Sequence, residues 1–382
     1  MVGPVGRALG GELTVLYHFL PQFSDVSMVF NLFNYITLRS AGAFVTAVLL
    51  SFALGPVTIR RLRMMRVGQI IRAVGPDTHQ QKAGTPTMGG ILILVAATTS
   101  TILWAELSNP YTLIALAALL WMGGIGVMDD YLKLIRRRPE GLVGRYKLVG
   151  QLSFAVALGV FLLLHPISPI ETTVTGLPFF ADLYAQFSPA AYVAFIAIVL
   201  AGSSNAVNLT DGLDGLAAGL CAIAAGTFGV FAYVIGRVDT SAYLGLLYLP
   251  GSGELSVFAA ALGGSALGFL WFNAHPALVF MGDTGSLALG GAIGVMAVLL
   301  KAEFLLVIVG GVFVAEAASV ILQTSYFRWT RHRTGTGRRI FRMTPIHHHF
   351  EQLGWPESRI VVRFWIVGVL CAFLAFSTLK IR

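Results

Sequence analysis

Long, nearly uncharged apolar runs recur along this chain, and they limit what it can fold into more than any other feature. A helix of about 20 mainly apolar residues crosses the roughly 30 Å hydrocarbon core of a bilayer. Ten runs meet that description, at about 40–59, 88–104, 112–128, 148–164, 190–204, 215–235, 255–272, 285–300, 304–325 and 360–379. Charge is correspondingly scarce: Asp, Glu, Lys and Arg make up 12% of the residues, against roughly 25% in soluble domains. The sequence therefore predicts an all-α integral membrane protein with about ten transmembrane helices. The formal net charge of +8 then belongs to membrane topology, and nucleic acid is not expected as a partner. Residues 13–36 are interrupted by His18, Pro21, Gln22, Ser24 and Asp25. They read as an interfacial helix, giving an N-terminal segment over 1–39 and one polytopic membrane domain over 40–382. Arg7 without a compact apolar region or an A-x-A site predicts no cleaved leader. Cys221 and Cys371 both lie in apolar stretches, which offers no disulfide or metal framework.

Basic residues choose the orientation. The loops 60–86, 129–147 and 326–359 hold six, six and seven of the 26 Lys and Arg residues, and the opposite face holds six. Basic loops stay in the cytoplasm, so both termini are expected outside. No internal repeat of the kind common in transporters is visible.

Against that orientation, five carboxylates gather at the cytoplasmic ends of spans: Asp129, Asp130, Asp211, Asp214 and Asp283. Asp214 and Asp283 precede apolar helices, where a carboxylate is often only a cap. Asp129 and Asp130 end a span, where the helix dipole disfavours negative charge, and the adjacent pair suggests a bound cation. Oxygen ligands without cysteine suit a hard ion such as Mg²⁺, which commonly works with one or two carboxylates and a substrate phosphate. The nearby Lys and Arg side chains suit phosphates. Together these features point to phosphoryl transfer onto a lipid. His347, His348 and His349 follow Pro345 and are expected to line a loop rather than to face one ion together. Glu316 lies deep in the ninth span, where an acid is costly unless partnered or hydrated; a structural hydrogen bond and a place in a lipid groove both remain open. Gly310-Gly311 just before it could bend the helix.

Four motifs occur in order: Gly126-Val-Met-Asp-Asp-Tyr-Leu-Lys133, Asn208-Leu-Thr-Asp-Gly-Leu-Asp-Gly215, Asn273-Ala-His-Pro-Ala-Leu-Val-Phe-Met-Gly-Asp-Thr-Gly285 and Thr344-Pro-Ile-His-His-His-Phe-Glu351. In combination they resemble the polyprenyl-phosphate N-acetylhexosamine-1-phosphate transferases. The triple histidine and Lys82-Ala-Gly-Thr-Pro-Thr-Met-Gly-Gly90 are similar to the branch that uses a muramoyl-pentapeptide donor. The resemblance runs from about residue 40 to the C-terminus. It implies Mg²⁺, UDP-MurNAc-pentapeptide as donor, undecaprenyl phosphate as acceptor, UMP and lipid I as products, a bacterial cytoplasmic membrane and a homodimer. By the same resemblance, Asp283 would be the metal ligand, and Asp129 and Asp130 would position or deprotonate the lipid phosphate. Lys133 and Lys147 would hold phosphates. Asn208, Asp211, Asp214, Asn273, Phe280, Gln323, Lys82 and Thr87 would bind the nucleotide side. His347, as a catalytic group, and His348 would contact donor phosphate or sugar. Two alternatives remain: a GlcNAc-1-phosphate transferase, against which the Thr344–Glu351 segment speaks, and a secondary transporter. A transporter's site is expected near midplane on broken helices, whereas only Glu316 among the notable acids lies deep.

Overall fold

The structure is a computed structural model describing residues 16–23, 27–65, 84–134, 136, 141–180 and 183–380. Lys82 and Arg137 lie outside the described residues, as do the first 15 positions. The apolar runs form helices: α1 (Ile36–Met64), α2 (Gly90–Trp104), α3 (Pro110–Leu134), α4 (Gly144–Leu164), α5 (Pro189–Thr210), α6 (Leu216–Ile235), a short α7 (Val238–Leu244), α8 (Glu254–Asn273), α9 (Gly282–Leu299), α10 (Glu303–Val309), α11 (Gly311–Thr334), a short α12 (Ile346–Glu351) and α13 (Glu357–Ser377). A small antiparallel hairpin, β1 (Val174–Gly176) with β2 (Tyr184–Gln186), pairs Thr175 with Ala185.

All ten predicted runs fall on helices, but they do not form ten equal spans. Eight helices among the described residues are long and apolar enough to cross a membrane, and a ninth span is possible if α10 and α11 count as one. That pair is bent by 87°. The break falls at Gly310, where the Gly310 N–H closes back on Leu306 O at 2.7 Å, at the glycine pair the sequence marked as a bending point. At 15 residues, α2 rises about 22 Å, which is short of a full crossing. The predicted interfacial helix is a helical turn at Leu16–Phe19 and two 3-10 stretches, Leu20–Phe23 and Met28–Asn34. Helix α1 starts at Ile36, so the proposed boundary after residue 39 lies inside a helix. The histidine segment also departs from expectation. It is the short helix α12, not an open loop, and its first histidine is wholly buried.

Helix α9 is the axis of the bundle, with 89% of its apolar window buried, against 28% for α1, α4 and α13. Those peripheral helices turn large apolar side chains such as Leu49, Val149 and Phe373 outward, as lipid-facing surfaces do. Small residues let the neighbours approach α9 closely. A Cβ at Gly126 of α3 would stand 2.2 Å from Asp283 O, and one at Gly90 of α2 would stand 2.1 Å from Gly285 N. The N-terminal end of α9 is thus clasped by α2 and α3 without room for another methyl group. Its other end is held by the hairpin, where Gly176 N–H donates to Lys301 O at 3.0 Å. On α1 and α8, Arg39 and Glu254, both buried, form a two-pronged ion pair at 2.7 and 2.6 Å. A charge-assisted fork of this kind supplies directional contact between helices that share apolar surroundings.

Candidate active site at the start of α9

Four helix ends meet where α9 begins. The last turns of α3 and α5 bring Asp129, Asp130, Lys133 and Asn208, and the first turns of α4 and α9 bring Lys147 and Asp283. Helical spacing places Asp129 and Lys133 on one face of α3, four residues apart, and they form an ion pair. Asp130, about 100° further round the helix, faces α9 instead.

That geometry assigns the two adjacent acids different work. Asp130 Oδ1 accepts from Asp283 N–H at 3.2 Å, while its Oδ2 accepts from Thr284 N–H at 2.9 Å and from Thr284 Oγ1 at 2.7 Å. Helix α9 has no side-chain cap of its own. Asp130 therefore caps it from another helix, satisfying amide groups that the first turn leaves without partners. Both acids suspected of being local caps reach partners outside their own helix start. The cap residue of α6, Gly215, has no side chain to cap with. Asp214 Oδ2 instead accepts from Ala277 N–H at 3.1 Å and faces His275 Nδ1 at 3.1 Å.

Asp283 is free of capping duty and collects three donors. Its Oδ1 accepts from Asn208 Nδ2 at 2.9 Å, and its Oδ2 accepts from Lys147 Nζ at 2.5 Å and Lys133 Nζ at 3.0 Å. Asn208 also donates to Ser286 Oγ at 2.8 Å, which fixes its amide across α9. Asp129, wholly buried, accepts from Leu142 N–H at 2.8 Å and has Lys147 at 3.5 Å. Ligand atoms of Asp129, Asp130 and Asp283 all lie within 4.8 Å of one another. Three carboxylates facing two ammonium groups leave negative charge in excess, and every ligand atom is oxygen. The site could hold a hard divalent cation. A second such group, Asp214, His275 and Glu357, has its polar atoms engaged with one another and with backbone: Glu357 Oε1 accepts from Asp214 N–H at 2.7 Å.

The remaining sequence candidates divide into residues that face this centre and residues that build its walls. The second half of the Lys82–Gly90 motif lies alongside the start of α9. Phe280 N–H donates to Pro86 O, Gly89 N–H to Phe280 O and Gly90 N–H to Met281 O, each at 2.8 Å. This brings Thr87 beside Gly282, where a Cβ would stand 3.0 Å from Thr87 Oγ1 and 2.7 Å from Asp130 Oδ2. Gly282 has φ of 73°, which an L side chain rarely adopts. Phe280 is half-buried. Asp211, just past the end of α5, is half-buried as a residue. Desolvation, then the charges of Asp283 and Asp130, push its carboxyl well above the usual range, and a Gly282 backbone hydrogen bond opposes them.

Asn273 and Gln323 turn out to hold backbone. Asn273 Oδ1 accepts from Gly215 N–H at 3.0 Å and its Nδ2 donates to Val279 O at 2.9 Å. Gln323 accepts from the N–H groups of Ile340 and Phe341 and donates to Phe341 O. The three histidines go three ways. His347 is wholly buried against Glu316, His348 Nδ1 meets Glu351 Oε2 at 2.6 Å, and His349 Nδ1 accepts from Arg342 N–H at 3.2 Å. Sequence reasoning missed Thr284, Ser286 and Glu357. Thr284 sits inside a quoted motif and Ser286 one position past it, while nothing near Glu357 in the chain marks a partner some 140 positions away.

The family described as glycosyl transferase family 4 matches residues 112–301. Residues 82–94 match phospho-N-acetylmuramoyl-pentapeptide-transferase signature 1. Curated relatives extend the likeness over nearly the whole chain. A phospho-N-acetylmuramoyl-pentapeptide-transferase of Gemmatimonas aurantiaca is 56% identical, over 96% of this chain and all of the relative. Proteins of the same description from Desulfatibacillum aliphaticivorans and Desulfotalea psychrophila are 52% and 49% identical over the same shares.

Proposed function

Because the chain belongs to the phospho-N-acetylmuramoyl-pentapeptide-transferase family, we propose that it moves phospho-MurNAc-pentapeptide from UDP-MurNAc-pentapeptide to undecaprenyl phosphate at the cytoplasmic membrane of a bacterium. The products are lipid I and UMP. The observation that carries this reading is Asp283, held by two lysines and an asparagine at the mouth of four helices. Charge is concentrated there for anions that must meet.

Both substrates are phosphates, and their approach needs placement and neutralisation more than covalent help. Mg²⁺ bound there would polarise the phosphate oxygens and stabilise the charge that builds up during transfer. Asp283 and Asp129 fit it best, since Asp130 has both oxygens on the α9 terminus. Lys133 and Lys147, which bridge these carboxylates, would then turn toward substrate phosphate. The acceptor is a phosphate monoester with a second pKa near 6, so at neutral pH it is largely a dianion. Its oxygen attacks the β-phosphorus of the donor, the bond from that phosphorus to the bridging oxygen breaks, and UMP leaves. Asp129 would take the proton from the remaining monoanion. An aspartyl-phosphate on Asp283 is the competing route, but a carboxylate that holds a divalent cation would be a poor nucleophile. In enzyme stripped of polyprenyl phosphate, labelled UMP is expected not to exchange into UDP-MurNAc-pentapeptide. Clear exchange would establish the covalent route.

The proposed orientation places the Asp283 end of α9 in the cytoplasm. Cysteines at Arg333 and at Tyr243, both exposed and Tyr243 at 74%, are expected to react from opposite sides of a sealed vesicle, Arg333 from the cytoplasmic side. Labelling of both from one side would overturn that orientation.

A further inference from the structure

Glu316 and His347 form a wholly buried pair that the transfer chemistry above leaves without a task. Glu316 sits in the second turn of α11, just past the break, and neither side chain has any exposed surface. A buried carboxylate is costly without a charged or hydrogen-bonding partner. Among the described residues its ion-pair partner is His347, with Nδ1 at 3.1 Å from Oε1, and the His347 N–H also donates to Oε2 at 3.4 Å. With Nδ1 turned to the carboxylate, Nε2 points the other way. It ends against Gly212, where a Cβ would stand 2.2 Å from it; among the described residues neither ring nitrogen nor Glu316 Oε1 has a partner in hydrogen-bond geometry.

Gly212 belongs to the turn that carries Asp211 and Asp214. Two sides of that turn are held by hydrogen bonds, from Gly215 N–H to Asn273 Oδ1 and from Asp214 N–H to Glu357 Oε1. The third side is the His347 ring. The carboxylate packed 3.1 Å from Nδ1, with the His347 backbone N–H on its Oε2, holds the ring by contact and charge, with Nε2 aimed at Gly212. We infer that Glu316 is a positioning residue for the donor: through His347 it holds Gly212, and with it the Asp211–Gly215 turn, in the shape that binds the nucleotide side of the donor. The sealed His347 ring then acts on the turn, not on the substrate directly. This rests on the transferase reading above.

The test compares full-length wild type with Glu316→Gln, Glu316→Ala, Gly212→Ala and the double variant Glu316→Ala/Gly212→Ala. Donor KM, acceptor KM, kcat and thermal midpoint are measured with UDP-MurNAc-pentapeptide and a short polyprenyl phosphate. Glu316→Ala and Gly212→Ala are each expected to raise donor KM on the order of tenfold, with acceptor KM within about twofold of wild type. The double variant is expected to be no worse than the poorer single one, as for residues acting through one contact. Glu316→Gln keeps the side-chain shape beside the ring and an acceptor for the His347 backbone N–H, and is expected to recover most of the donor KM. If Glu316→Ala does not fold, Gly212→Ala and Glu316→Gln carry the same comparison. Donor and acceptor KM moving together, a flat donor KM in a folded variant, failure of Glu316→Gln to recover it, or additive losses would each overturn the inference while leaving the transferase reading intact. A wild type that makes no lipid product would remove that reading, and the inference with it.

Discussion

Asp283→Asn is expected to leave the protein folded in detergent and to lower turnover by about 10²–10³-fold or more, the size seen when one preorganised electrostatic group is lost from a reacting centre. The substitution keeps the side-chain shape and the Asn208 contact on one oxygen, but removes the charge that Lys133 and Lys147 share. The helix start should persist, because its amides are capped by Asp130, not by Asp283. Turnover titrated against Mg²⁺, with the thermal midpoint measured on the same preparation, checks this. A near wild-type rate with unchanged metal dependence would remove Asp283 from the centre of the site.

Asp130→Ala is expected to do a different kind of damage. It strips the acceptor from three donors at once, Asp283 N–H, Thr284 N–H and Thr284 Oγ1, in a part of the protein where Asp130 is 3% exposed. Each buried group left unsatisfied costs about 1–3 kcal/mol, a substantial fraction of a typical folding stability of about 5–15 kcal/mol. The thermal midpoint should fall by several degrees, and activity should fall with it because Asp283 is the second residue of the helix so loosened. Asp130→Asn should resemble it, since an amide nitrogen cannot accept where one carboxylate oxygen did. Full loss of turnover with an unchanged midpoint would instead make Asp130 a chemical participant and contradict the capping role.

The contrast between Asp129 and Asp130 marks where the sequence stops being informative. Adjacent acids at a helix C-terminus work against the dipole, which the sequence reads as a bound cation; the positive groups that the structure places beside them belong to the chain itself. For Asp129 the partners are Lys133, four residues on, and Lys147. For Asp130 the positive partner is the amide end of α9, about 150 residues away, and no local pattern reports it. The spans were legible because each helix that crosses a membrane carries its own apolar signal. The glycine pair at 310–311 marked a bend, but its 87° angle depends on what α10 and α11 pack against. His347 misled for a related reason. A histidine after proline reads as a loop residue, and only the approach of Glu316 and Gly212 from two other elements makes it a buried one.

The central claim, that this chain joins a muramoyl-pentapeptide phosphate to a lipid phosphate, is tested most directly by the release of UMP from purified protein under single omissions. UMP is expected only when UDP-MurNAc-pentapeptide, a polyprenyl phosphate and Mg²⁺ are all present, with a lipid-linked product formed in equal amount, and none when any one is left out or the metal is chelated. UMP release without the lipid, or equal transfer from UDP-GlcNAc, would contradict it.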